Sequence, residues 1–197
     1  MKKIVFASHN QNKVREIKSL LEGFIEVLSL TDINFHEDIE ETEDTIEGNA
    51  KLKADFITNK YGIDCFADDS GLLIDALNGA PGVYSARYAG EPKNDNNNLK
   101  LVLKNLDNSE NRKAHFKTVI SLNFNGKNYN FEGIIDGEIT TKPIGDKGFA
   151  YDPIFIPNGY TKTFAEMEIH EKSLISHRGQ AVKLLIDFLK QQNTVNE

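Results

Sequence analysis

Asn125-Gly126 lies between two long stretches of alternating side chains, and this constrains the fold of the 197-residue chain more than any other feature. Both residue types accept the positive φ angles that a two-residue hairpin turn requires. Before the turn, residues 112–123 alternate His115, Lys117, Val119, Ser121 and Asn123 with Phe116, Thr118, Ile120 and Leu122. After it, residues 127–140 read as the returning strand. A long antiparallel pair excludes a purely parallel sheet. The segments ahead of it nevertheless alternate strand and helix, so the expected class is α/β with a long mixed sheet.

The first unit is strand, polar loop, helix. Residues 4–7 are short and β-branched. Ser8-His9-Asn10-Gln11-Asn12 follows without a glycine, and Asn10 or Asn12 is the candidate for a left-handed conformation. A helix is predicted over 13–21, with Val14, Ile17, Leu20 and Leu21 at helical spacing and Gly23 as its stop. Such a unit aims a helix N-terminus at whatever lies beyond the strand, a favourable place for an anion. Lys13 opposes its own helix dipole, which fits a bound anion or simply a solvated lysine. A second strand is read over 25–30, then an acidic run over 32–47. A helix beginning near Thr42, capped by Thr42 or Thr45, is expected to end at Tyr61 before Gly62. Glu40 and Glu41 precede it, placed to help the cap, to reach a metal, or to lie on the surface.

An apolar run over 63–67 stops at Asp68-Asp69, followed by Ser70-Gly71 and a resumed strand, Leu72-Leu73-Ile74. Two carboxylates at the lip of a buried strand repel each other unless a cation or donors hold them. Asp, Ser and Gly also favour an ordinary turn, so a strand-to-strand turn is expected there. Residues 78–82 form a turn, and 83–90 read as about one helical turn whose two tyrosines and arginine suit a protein interface. A helix is expected over 93–106. In residues 145–157, Phe149 and Tyr151 present aromatic faces beside Asp152, an arrangement suited to a flat N–H-bearing ring or to a packed strand entry. Ser176 is a fair cap for the last helix, which places His177 and Arg178 in its first turn, and the tail from Gln191 reads as frayed.

The net charge of −7 argues against bulk-charge binding to nucleic acid or anionic membrane. Cys65 is the only cysteine, which excludes an internal disulfide and a multi-cysteine zinc site. The apolar run at the N-terminus is too short for a signal peptide or a membrane span, so a cytoplasmic location is expected. Lys13, Lys172 and Arg178 are cations beside turn or helix-start backbone. Glu40 and Asp69 suit a divalent ion, and Phe149, Tyr151 and Asp152 suit a base. Polyphosphate, metal and base together describe a nucleoside triphosphate, yet the chain has neither a P-loop nor a G-x-G-x-x-G fingerprint.

Seven ordered blocks carry a resemblance. They are Ser8-His9-Asn10-Gln11-Asn12-Lys13, Ile39-Glu40-Glu41-Thr42, Glu47-Gly48-Asn49-Ala50, Ala67-Asp68-Asp69-Ser70-Gly71-Leu72, Pro81 through Tyr88, Gly148-Phe149-Ala150-Tyr151-Asp152-Pro153-Ile154-Phe155, and Ser176-His177-Arg178. Together they resemble the inosine triphosphate pyrophosphatase family across nearly the whole chain. Asn12 and Ala150 depart from the glycines usual at those positions. The resemblance implies two lobes around a central cleft, a homodimer, and Mg²⁺-dependent hydrolysis of ITP, dITP and XTP to monophosphate and pyrophosphate. By motif it assigns Ser8, His9, Asn10, Gln11, Asn12 and Lys13 to the phosphates. It gives Glu40 and Asp69 to the metal, makes Asp69 the proton acceptor and Ser70 a substrate contact. Phe149, Ala150, Tyr151, Asp152, Lys172, His177 and Arg178 complete the nucleotide site. Phe149 is then expected to stack on the base while His177 and Arg178 read its 6-oxo edge.

Overall fold

The structure, a computed structural model, describes residues 3–23 and 25–194. Among them, β1 (Lys3–Phe6), β2 (Glu26–Ser29), β3 (Cys65–Ile74), β4 (Lys113–Phe124), β5 (Lys127–Ile139) and β6 (Phe155–Pro157) form one sheet in the order β2-β1-β3-β4-β5-β6. β1 runs parallel to β2 and to β3, whereas β6 is antiparallel to β5, so the sheet is mixed as expected. Asn125 at φ 50° and Gly126 at φ 74° make the turn between β4 and β5. Two consecutive left-handed residues are what a type I′ hairpin needs. The helices are α1 (Gln11–Leu21), α2 (Ile46–Tyr61), α3 (Asp95–Asn105), α4 (Ile169–Ile175) and α5 (His177–Thr194). None of the helices is long and apolar enough to cross a membrane, among the described residues.

The chain divides into two compact units. The first comprises Met1–Asp69, Thr118–Glu132 and Gly179–Glu197; the second comprises Ser70–Lys117 and Gly133–Arg178.

In the first unit the period-2 alternation of the strands sorts side chains onto two faces. Ile4, Phe6 and Phe66 pack with Val14, Ile17 and Leu21 of α1 and with Ala181, Val182 and Leu185 of α5. Val5, Ala7, Cys65 and Ala67 pack with Phe35 and with Ala54 and Ile57 of α2. Each large aliphatic side chain so buried contributes about 1.5–3 kcal/mol. In the second unit, Leu72 and Ile74 meet Leu99 and Val102 of α3, together with Phe116, Phe155 and Phe164.

Four local expectations are corrected. First, β3 is one unbroken strand of ten residues, so Asp68, Asp69, Ser70 and Gly71 are strand residues and not a turn. The acids stay in the sheet because ammonium groups from neighbouring helices compensate them, as described below. Second, α1 begins at Gln11, because the Asn10 side chain accepts from the amides of Asn12 and Lys13 and caps the helix earlier. Asn10 has φ −71° and Asn12 is helical, so neither is left-handed. Third, α4 was not foreseen as a helix. Fourth, α5 runs on to Thr194 where fraying was expected from Gln191; the last three residues lie outside the described ones. Elsewhere the reading holds: Thr45 caps α2, Gly62 closes it at φ 67°, and residues 82–87 form a 3-10 turn.

A carboxylate fixes the exit of β2. Asp32 accepts from the Ser29 amide at 2.8 Å, the Ser29 hydroxyl at 2.8 Å and Lys18 Nζ at 3.1 Å. The Ser29 hydrogen bonds, with Lys18, lower its pKa to about 2 from an ordinary 3.8. A depressed carboxylate pKa stabilises the fold above the unfolded value, and the benefit is lost as pH falls through the folded one. Asp32 is partly exposed, so its contribution is discounted for solvent screening. Asp32→Ala is expected to destabilise the protein by about 1 kcal/mol near neutral pH. In urea unfolding, the gap from wild type should shrink as pH falls from about 4 towards 2; a gap independent of pH would contradict this account.

Candidate active site

In the first unit the site grows from the end of β1. The pairing of β1 with β3 ends at Phe6 and Phe66, where the Ala7 amide donates to the Phe66 carbonyl. Beyond that point β1 leaves as the Ser8 loop while β3 continues to Asp68 and Asp69. The acids therefore stand just past the carboxyl end of β1, within β3, beside the loop that leaves the parallel pair, the kind of place where α/β sheets bind ligands. Adjacent strand residues point to opposite faces. Asp68, in phase with Phe66, meets α1: Lys13 Nζ lies 3.0 Å from its Oδ2. Asp69, in phase with Ala67, meets α2: Lys53 Nζ lies 3.8 Å from its Oδ1 and 2.6 Å from Glu41 Oε1.

Two ammonium groups thus face three carboxylates in a buried setting. Burial alone would lower the Lys53 ammonium, but Asp69, Glu41 and Asp68 overcome it and hold its pKa above the usual lysine value. Burial pushes Asp69 up to about 6 from an ordinary 3.8; Lys53 and Lys13 pull against that rise, and Glu41 and Asp68 add to it. A carboxylate near 6 is a usable base at neutral pH.

The loop from Ser8 to Lys13 is held largely by its own side chains. Ser8 Oγ accepts from the Asn10 amide at 3.2 Å. Asn10 Oδ1 takes the amides of Asn12 and Lys13, so these first-turn donors are already capped. Asn12 Oδ1 accepts from Arg15, and Gln11 Nε2 donates to the His9 carbonyl. His9 lies parallel to the Phe35 ring at 5.9 Å and its Nε2 donates to the Glu37 carbonyl at 2.8 Å, which anchors the loop.

In the second unit the remaining residues surround Phe149, which is half-buried. Lys172 Nζ sits 5.0 Å from the centre of its ring and the Arg178 guanidinium 5.5 Å. Such cation–ring contacts are favourable and stronger where water is excluded. Arg178 also donates to Ser70 Oγ at 3.3 Å. Asp152 Oδ2 accepts from Lys172 at 2.8 Å and from the Phe149 amide at 2.9 Å. Gly148 is required beside it, because a Cβ there would stand 2.1 Å from that oxygen. The His177 ring stacks on Phe116 at 4.6 Å and is buried.

Three expectations shift, for Tyr151, Asp152 and Glu40. Tyr151 is not an open aromatic face. It is 2% exposed, and its hydroxyl donates to the Ser85 carbonyl at 2.6 Å. Burial, with nearby Asp95, raises its phenol pKa, so it remains a donor. Asp152 spends one oxygen on pinning the loop and Lys172. The two residues form the frame, and Phe149 is the ring left for a ligand. Glu40, expected beside Asp69, is exposed, and its neighbour Glu41 is the acid that shares Lys53 with Asp69. Lys53 was not read as a site residue, and Glu41, read before α2 as able to reach a metal, was not among the assigned ligands. The signal for Lys53 was present: it falls on the stripe of Ala50, Ala54 and Ile57, where a lysine needs a buried partner.

The donor set suits a hard divalent cation. Glu41 and Asp69 offer carboxylate oxygens on either side of Lys53. Among the described residues no three acids or histidines close on a single point. A Mg²⁺ ion takes one or two carboxylates and completes its shell with water and substrate phosphate.

Comparison with known proteins follows the same residues. A model of the Ham1 family matches residues 4–188. The chain is 61% identical over 187 residues to a dITP/XTP pyrophosphatase of Flavobacterium johnsoniae, covering 95% of this chain and 97% of that one. It is 58% identical to the protein of that name from Christiangramia forsetii, covering 96% and 100%. Among solved structures, the Ham1 protein of Staphylococcus aureus superposes with a TM-score of 0.88 at 41% identity, over 97% of this chain and 100% of that one. A HAM1 protein of Coxiella burnetii gives 0.89 at 41% identity, with the same coverage. The matched span contains every residue gathered above, from Ser8 to Arg178, and the chain belongs to the Ham1 family.

Proposed function

We propose that this chain hydrolyses non-canonical purine nucleoside triphosphates, ITP, dITP and XTP, to the monophosphate and pyrophosphate. One observation carries the reading beyond its relatives' names: a buried carboxylate held near a pKa of about 6, flanked by two lysines and a second acid. Asp69 orients a water and takes its proton as the water attacks the α-phosphorus. Lys13 and Lys53 already carry charge in the site and stabilise the departing pyrophosphate. Ser8, His9, Asn10, Gln11 and Asn12 shape the loop that receives the phosphates. Asp69 and Glu41, with Glu40 beside it, would hold Mg²⁺. When bound, the ion neutralises phosphate charge that would otherwise repel the nucleophile.

Phe149 stacks on the base, with Lys172 and Arg178 against its ring, and Ser70 contacts the substrate. Donors at His177 and Arg178 face the 6-oxo edge. A 6-amino group would set donor against donor and leave buried polar groups unmet. The protein acts in the cytoplasm as a homodimer, with the half-exposed Tyr84, stacked under Arg87 at 5.5 Å, on the contact surface.

A triphosphate panel tests the reading. Pyrophosphate release is expected with ITP, dITP and XTP in the presence of Mg²⁺, and little from ATP, UTP or TTP; equal turnover of ATP and ITP would refute the base selection. Asp69→Asn is expected to lower turnover by about 10²–10⁴-fold while nucleotide still binds. Its fold should survive. A carboxylate whose pKa is raised is most favourable to the fold below its ordinary 3.8, and that stability is lost as pH rises through about 6. Asn removes that cost. In the metal-free protein, the Asp69 carboxyl followed by NMR should titrate near 6, and higher in Lys53→Met, because Lys53 lowers it; a fall in that variant would reverse the assignment. Sedimentation should give a dimer mass, shifted towards monomer by Tyr84→Asp; a monomeric wild type would remove the dimer from the proposal.

A further inference from the structure

Ala150 has φ 53°, a left-handed conformation in which a Cβ is disfavoured by about tenfold or more. The chain holds it there by means outside the loop. Its amide donates to Asp95 Oδ2 at 3.1 Å, across 55 positions of sequence. The residues on either side are fixed separately: Phe149 by its amide on Asp152 Oδ2, and Tyr151 by its hydroxyl on the Ser85 carbonyl. Asp95 is the first residue of α3, behind the cap Asn94. That helix is well anchored. Asn98 donates to the Ala86 carbonyl at 3.0 Å and accepts from the Ala89 amide at 2.7 Å, and Leu99 and Val102 are buried in the same core as Tyr151. A carboxylate carried on such a helix is a firm reference point for a loop.

We propose that Asp95 is a positioning residue for substrate binding: its carboxylate holds Ala150 left-handed and thereby sets the presentation of Phe149 to the base. The proposal rests on the reading that residues 149–152 receive the base. Asp95 acts through the Ala150 amide and not on the substrate. It is needed because position 150 carries a Cβ; a glycine would take the same φ without support.

Three variants separate this from other roles of Asp95. Asp95→Ala is expected to raise KM for ITP about fivefold while kcat stays within about twofold, the size of one lost hydrogen bond. Asp95→Asn keeps an acceptor oxygen but loses the charge that favours a helix N-terminus, and it should stay close to wild type. The double variant Asp95→Ala with Ala150→Gly should recover the KM, because glycine needs no support at that φ. An unchanged KM in Asp95→Ala would overturn the proposal. So would an Asp95→Asn defect equal to that of Asp95→Ala, or a double variant that stays impaired, which would mark a direct contact with substrate. Hydrogen exchange at the Ala150 amide provides a readout independent of turnover, expected to be faster in Asp95→Ala than in wild type and Asp95→Asn. If wild type releases no pyrophosphate from any triphosphate, the functional reading fails, while unchanged exchange would still overturn the role of Asp95.

Discussion

Asp68 and Asp69 are adjacent on one strand, so alternation sends their side chains to opposite faces of the sheet, and each arrives in a buried place as a charge. A buried carboxylate without a partner costs several kcal/mol, and the structure meets that cost twice. Lys13, from the first turn of α1, answers Asp68 on one face. Lys53, from the middle of α2, answers Asp69 on the other. The requirement accounts for much of the first unit. Both helices must dock with a lysine level with the middle of β3, and the apolar residues of the same strand, Phe66 on one face and Ala67 on the other, provide that docking. On the α2 side Glu41 shares Lys53 with Asp69. Burial, above all, raises the Asp69 carboxyl to about 6 against the pull of Lys53 and Lys13.

The second unit solves a different problem. A ring that is to receive a flat ligand must be both partly open and fixed. Phe149 gains its fixity from neighbours that are themselves buried: Asp152 takes its amide, Tyr151 closes on Ser85, and Lys172 and Arg178 lie against the ring. Ser85 is itself part of the frame, accepting from the Leu72 amide and donating to the Gly82 carbonyl. The polar atoms that look suited to reading a base are therefore in large part engaged in holding the loop. Rigid support of a single open ring is a common way to place recognition on an otherwise irregular segment.

Much of this was legible in advance where the cause is local. The Asn125-Gly126 hairpin, the α2 cap and the Gly62 stop depend on φ preferences and on side chains reaching their own backbone; the turn and the stop stand as read, and of Thr42 and Thr45 the latter is the cap. The turn expected at Asp68-Asp69-Ser70-Gly71 failed for the converse reason. Those residue types prefer turns when isolated, and they remain in β3 only because charges contributed from other segments make burial tolerable. Asn10 and Asn12 were both candidates for a left-handed backbone, but the Asn10 side chain instead caps α1 on the amides of Asn12 and Lys13. Glu40 and Glu41 are equivalent by sequence, and only the geometry before α2 decides which of them reaches Lys53.

Sequence alone determined the mixed α/β sheet, its long hairpin and the family to which the chain belongs, because these follow from periodicity, turn chemistry and ordered motifs. Tertiary structure decided that the paired acids lie within a strand, that Lys53 and Glu41 stand with Asp69, that Tyr151 and Asp152 frame a loop, and that Ala150 leans on Asp95. Each of these depends on groups far apart in the chain meeting where water is excluded. There, desolvation and charge compensation outweigh the local preferences from which a sequence is read.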